Sequence, residues 1–169
     1  QYLLTRLGLQ VYKGKDVSIY NTSNSSLPND TIKRGVIEKN GRLWLGTPNG
    51  LASFENYTVT WYDNSLTNSV LGNEKITSLA IGDDGRLWIG TPNGLVVKNG
   101  DTWTRYTPQN SGLPAPYIFG LVVDKYNVAW MGAGNELTKL SKSNPSYNDS
   151  PETMKGLVRF DGTIWTTFD

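Results

Sequence analysis

The chain holds 169 residues, with 16 Lys and Arg against 15 Asp and Glu, and only 18% of it is charged. No basic run stands out and no stretch is long and apolar enough to cross a bilayer, so neither nucleic acid nor membrane insertion is expected. Cys and His are absent, which removes disulfides, thiolate nucleophiles, all-thiolate zinc sites and the usual neutral-pH proton carrier, leaving carboxylates, Lys, Tyr or a hard metal for any chemistry.

The chain is a tandem array. Residues 85–95, GRLWIGTPNGL, restate residues 41–51, GRLWLGTPNGL, at an offset of 44, and a fixed period of that size signals a repeat architecture. Residues 1–20 carry the later part of one unit: shifted by 86, Tyr2 falls on Trp88, Gly8 on Gly94 and Tyr20 on Tyr106, while Leu4 stands where the W-x-G motif has Gly. Residues 21–62 form the next unit. It opens with a polar loop, then predicts a short strand at 32–37 weakened by Lys33, Arg34 and Gly35. An Asn40-Gly41 hairpin turn follows, with strands at 42–47, 51–54 and 58–62.

Residues 63–106 repeat the pattern with strands at 76–81 and 102–106, an Asp84-Gly85 turn, and Leu87 and Ile89 alternating with Arg86 and Trp88. Period-two alternation over such short runs is strand periodicity. The last unit, residues 107–169, has its inner strand at 118–123. The distance from Trp130 to Trp165 is 35 residues against 15 from Trp88 to Trp103, which places an insertion at about 133–155.

Units of this length, with four short antiparallel strands and Gly-bearing hairpins, predict an all-β propeller. Counting outward from the axis gives three strands and then three sets of four, so fifteen strands in about three and a half to four blades, with the first blade lacking its innermost strand. That arithmetic suggests a minimal ring, continuation by further blades, or self-association. Two copies of three and a half blades would make seven.

The recurring Trp44, Gly46, Trp88, Gly90, Trp130 and Gly132, with the later Trp165, are expected to be scaffold: tryptophan wedges between blades, beside glycines that allow close approach. Asp83 and Asp84 invite a calcium reading, but no D-x-D-x-D-G run is present, and a turn role is expected. No metal, cofactor or catalytic residue is assigned. Function is sought where equivalent positions differ. The residues entering the inner strands, Asn29 and Asp30, then Asn73, Glu74 and Lys75, then Tyr117, form a mixed rim suited to a small polar ligand or a peptide. The insertion, with Tyr147, is a second candidate binding surface.

The unit N-S-x-L-P, then G-x-L-W-[IL]-G-T-x-x-G-L, then G-x-x-W-x-x-Y, carried by residues 24–62, 68–106 and 110–168, resembles the two-component-regulator propeller repeat. The resemblance implies an extracytoplasmic bacterial module, periplasmic or at the cell surface, of the kind found in sensor regions of hybrid histidine kinases that detect glycan fragments. It implies a non-catalytic, ligand-binding sensor propeller, with a glycan or other small polar molecule as ligand. The same repeats resemble those of surface and secretion-associated proteins, which gives a structural or docking propeller as the alternative. Related lyases acting on streptogramin-type antibiotics lean on His and a metal, so a hydrolase or lyase working without His is a minor third reading.

Overall fold

The computed structural model describes residues 1–68, 70–134 and 154–168. Among the described residues, fifteen strands build four antiparallel sheets, each from consecutive strands. Blade 1 is β1 (Tyr2–Leu4), β2 (Leu9–Lys13) and β3 (Asp16–Tyr20). Blade 2 is β4 (Arg34–Ile37), β5 (Leu43–Thr47), β6 (Gly50–Glu55) and β7 (Thr58–Tyr62). Blade 3 is β8 (Ser78–Ile81), β9 (Leu87–Thr91), β10 (Gly94–Asn99) and β11 (Thr102–Tyr106). Blade 4 is β12 (Tyr117–Val123), β13 (Ala129–Gly134), β14 (Met154–Phe160) and β15 (Trp165–Phe168). The inner strands β4, β8 and β12 lie side by side, and blade 1 has three strands.

The repeated Thr and Gly letters have a local cause. In each of the first three units a Thr hydroxyl closes the β-turn after the strand that carries Tyr2, Trp44 or Trp88: Thr5, Thr47 and Thr91 donate to the carbonyls of Gly8, Gly50 and Gly94. Thr47 and Thr91 are buried, so a hydrophobic replacement of similar shape would leave a buried carbonyl and amide short of a partner. Gly94 has φ +125°, and a Cβ there would lie 2.2 Å from the Tyr106 carbonyl oxygen, so only Gly fits.

Three hydrophobic cores lie between the blades. Leu9 and Val11 of blade 1 meet Leu43, Leu45 and Phe54 of blade 2. Trp44 and Leu51 of blade 2 meet Leu87, Ile89 and Val96 of blade 3. Trp88 and Leu95 of blade 3 meet Met131, Val158 and Phe160 of blade 4. The Leu of each N-S-x-L segment plugs one core: Leu27 the first, Leu71 the second, Leu113 the third. The middle strands β5 and β9 are therefore buried throughout. The alternation of Leu87 and Ile89 with Trp88 sends one set to the preceding blade and the other to the following one. Burying a large apolar side chain in this way contributes about 1.5–3 kcal/mol.

Three details differ from the sequence expectation. The inner strands begin two residues late, at Arg34 and Ser78, because the amides of Ile32 and Ile76 donate to Thr5 and Thr47 carbonyls of the preceding blade. Leu4, at a motif Gly position, is accommodated by Gly35 on blade 2, where a Cβ would sit 2.6 Å from a Leu4 methyl. Trp44 and Trp88 are fully buried wedges, but Trp130 is only partly covered. Among the described residues no sheet covers that face of blade 4. Most of the insertion expected at about 133–155, including Tyr147, lies outside the described residues.

Candidate functional site

The residues entering the inner strands fall into two groups. Some are consumed locally. Asn29 Oδ1 accepts the Thr31 amide at 2.8 Å, and Asp30 Oδ1 accepts the Thr22 amide at 2.7 Å. Glu74 is held by Arg105, with the Asn93 side-chain amide donating to it at 3.0 Å. The same guanidinium donates to the Val70 carbonyl at 2.7 Å and the Asn93 carbonyl at 3.1 Å. This network ties the loop entering blade 3 to the outer strand β11. Asn73 is exposed beside it. Sequence reasoning placed Asn29, Asp30 and Glu74 on a recognition rim; one side-chain oxygen of Asn29 and of Asp30, and both carboxylate oxygens of Glu74, hold the loops.

Lys75 and Tyr117 are brought together. They occupy one repeat position on neighbouring blades. Lys75 Nζ donates to Tyr117 Oη at 3.1 Å and lies 5.7 Å from the ring centroid. Beside them is Phe119, its ring 4.8 Å from that of Tyr117 at 37°. The pairing of β12 with β13 passes from Ile118–Ala133 to Gly120–Gly132, so Phe119 is the extra residue of a β-bulge. A bulge bends its strand and re-aims a side chain, and here it sets a second partly exposed aromatic ring beside the Tyr117 that meets Lys75. Phe119 was missed from the sequence. The available signal was that its equivalents are Lys33 and Thr77, both polar.

At the other end of the inner strands a groove of about 540 Å³ separates the hairpins of blades 2 and 3, lined by Ile37, Glu38, Lys39, Arg42, Asp83 and Lys98 among others. Several of its charges are already paired. Lys39 meets Asp83 at 3.1 Å, and Arg42 binds Glu55 at 2.8 Å. The Glu55 hydrogen bond raises the Arg42 pKa above its ordinary value. Glu38 accepts the Trp44 indole N–H at 2.7 Å. Asp84, in the neighbouring turn, binds Arg86.

Two carboxylates are held below the usual range. Asp124 is lowered first by the Trp130 indole N–H, and Asp161 first by the Ile164 amide. Both are kept ionised at neutral pH, the opposite of what a general acid requires. Among the described residues no group of three or more Asp or Glu is arranged to hold a metal ion.

The fold recurs in solved structures. The extracellular domain of BT3049 from B. thetaiotaomicron, assigned as a hybrid two component system, superposes with a TM-score of 0.72 at 18% identity, over 99% of this chain and 21% of that one. Virginiamycin B lyase from Staphylococcus aureus superposes with a TM-score of 0.63 at 14% identity, over 97% of this chain and 49% of that one. PorZ, a surface component of the type-IX secretion system of Porphyromonas gingivalis, gives 0.55 at 17% identity, over 92% and 27%. The chain thus spans between about a fifth and a half of the length of these proteins. No curated protein matches the sequence. Residues 70–93 match the family model described as two component regulator propeller, and they run from the plugging Leu71 through the Trp88 wedge to the Thr91 turn. The chain is a β-propeller array, and one of its repeats, at residues 70–93, matches the two-component-regulator propeller model.

Proposed function

We propose that this chain is part of a non-catalytic, extracytoplasmic recognition propeller whose binding surface is the platform of Lys75, Tyr117 and Phe119. The bulge at Phe119 carries this reading. Here the inner strand of blade 4 departs in register from those of blades 2 and 3, and the departure places a second aromatic ring beside the Lys75–Tyr117 pair. Flat aromatic faces with a nearby donor suit a small polar ring such as a saccharide. The repeat family and the extracellular and surface settings of BT3049 and PorZ support the location. Binding to a panel of soluble oligosaccharides tests the reading: at least one is expected to bind the wild-type protein and to lose at least tenfold in affinity with Tyr117→Ala. A panel that binds neither protein, or both equally, contradicts it.

A second reading, a docking propeller, draws on the likeness to PorZ, a bacterial surface component of a secretion system.

A further inference from the structure

The repeat allows the seams between blades to be compared position by position. Phe54, Lys98 and Phe160 are equivalent: each pairs across its sheet with the residue before the motif tryptophan. Phe54 and Phe160 are 3% and 2% exposed. Each completes a cluster of rings, with Tyr2 and Tyr20 in one seam and with Trp88, Tyr106 and Trp165 in the other. The seam between blades 2 and 3 keeps the surrounding rings and has an ammonium in place of the central one. Lys98 Nζ lies 5.8 Å from the ring centroid of Trp44 and 5.7 Å from that of Trp103, within cation–π range. It donates to the Gly100 carbonyl at 2.5 Å and, among the described residues, meets no carboxylate.

Two more positions set this seam apart. Arg86 reaches from blade 3 to the Asn127 carbonyl of blade 4, and the Asn127 side chain accepts the Asp84 amide, which draws those hairpins together. Arg42, its equivalent on blade 2, turns instead to Glu55 of its own blade. The hairpins of blades 2 and 3, joined by the exposed Lys39–Asp83 pair, thus border the groove of about 540 Å³, a volume within the range of roughly 300–1,000 Å³ for small-molecule sites. Glu38 stands where blade 3 has Gly82. Its Oε1 accepts the Trp44 indole N–H at 2.7 Å, and its second oxygen has no partner among the described residues. Lys98 and Glu38 therefore border one indole and line one groove without pairing with each other. The equivalent Ile37 and Ile81 line it as well, and Ile37 is 53% exposed.

We infer that this groove is a binding site for a free α-amino acid with an apolar side chain. Its carboxylate meets Lys98, its ammonium meets Glu38, and its side chain lies against Ile37 and Ile81. A zwitterion satisfies both charges at once. A simple anion meets like charge at Glu38, and a simple cation meets like charge at Lys98. The site is at the opposite end of the inner strands from Lys75, Tyr117 and Phe119 and is independent of that platform.

Isothermal titration calorimetry at pH 7 tests this with L-leucine as the probe, beside N-acetyl-L-leucine, which lacks the ammonium, and L-leucinamide, which lacks the carboxylate. Leucine should bind the wild-type protein. Each blocked analogue should bind at least about tenfold more weakly, because one charge-assisted hydrogen bond is lost and its protein partner is left facing the ligand. Lys98→Phe installs the ring that blades 2 and 4 hold at this position, so far-UV circular dichroism should be unchanged while leucine binding is lost. Glu38→Gln keeps an acceptor for the Trp44 indole and should remove the preference for leucine over N-acetyl-L-leucine. If Lys98→Phe does not fold, Glu38→Gln decides alone. A wild-type protein that does not bind leucine, or binds all three probes alike, overturns the inference. So does leucine binding that survives in a folded Lys98→Phe, or a leucine preference unchanged in Glu38→Gln.

Discussion

The Trp44 indole N–H donates to Glu38 Oε1 at 2.7 Å, so the wedge filling the core between blades 2 and 3 is also latched to the start of its own hairpin. Blade 4 repeats the latch with Trp130 and Asp124 at 3.1 Å. Blade 3 does not. Gly82 stands at the position of Glu38 and Asp124, and Trp88 Nε1 is buried without a hydrogen-bond partner. A Cβ on Gly82 would lie 2.6 Å from Asp84 Oδ1 and 2.8 Å from Asn127 Oδ1, so the crowded turn, where Asn127 accepts the Asp84 amide, excludes the acid.

That difference separates two otherwise identical substitutions. Trp44→Phe removes a charge-assisted hydrogen bond and strands the Glu38 carboxylate. Trp88→Phe removes a donor that is already unsatisfied. Both lose similar volume. Urea denaturation should find Trp44→Phe the more destabilising by about 1–2 kcal/mol.

The latch in blade 4 sets a pH dependence. The Trp130 hydrogen bond lowers the folded pKa of Asp124 below its unfolded value. Its stabilisation is therefore present above the unfolded carboxylate pKa of about 3.9, and is lost as pH falls through the folded value. Thermal unfolding followed from pH 7 into the acid range should show a shallower acid limb for Asp124→Asn than for the wild type, with the two converging at the acid extreme. Identical slopes would remove Asp124 from the account.

Close approach between blades fixes two further outcomes. At Gly90 a Cβ would meet Ser78 Oγ at 2.1 Å and an Ile118 methyl of blade 4 at 2.8 Å. Gly90→Ala should cost about 1–3 kcal/mol from overpacking. Gly35→Ala should be destabilising while Leu4 is present and nearly neutral in a Leu4→Gly background. A double-mutant cycle should then give a coupling of about 0.5–3 kcal/mol; zero coupling would mean that blades 1 and 2 do not touch at this point.

Arg105 offers a test of how the blade 3 entry loop is held. Its guanidinium reaches Glu74 together with two backbone carbonyls, a planar fork that an ammonium cannot reproduce. Arg105→Lys should restore little of the stability lost in Arg105→Ala, as measured by chemical denaturation. Full recovery would show that only the charge matters.

Much of the architecture was legible because the signal was repetition. The fifteen strands of the described residues, the three-stranded first sheet and the hairpin positions follow from Gly41, Gly85 and the W-x-G-T spacing, where local turn chemistry and periodicity agree. What could not be read was what depends on a neighbouring blade. The inner strands start late because Ile32 and Ile76 bond across to blades 1 and 2. Gly35 looked like a weakness in a strand and is instead the space for Leu4. On the rim, Asn29, Asp30 and Glu74 have the composition of a recognition surface, yet each satisfies a local donor. Phe119 escaped notice because a bulge depends on pairing register, which its own strand sequence does not disclose.

The recognition platform is tested most directly by saturation-transfer NMR, run on the wild-type protein against the oligosaccharide panel and repeated with Phe119→Ala and Phe119→Tyr. The expected result is a saccharide whose signal is present in the wild type, lost with Phe119→Ala and retained with Phe119→Tyr, because an aromatic face is what the bulge supplies. A saccharide signal indifferent to both substitutions, or none with any saccharide, would contradict the assignment of Lys75, Tyr117 and Phe119 as the binding surface.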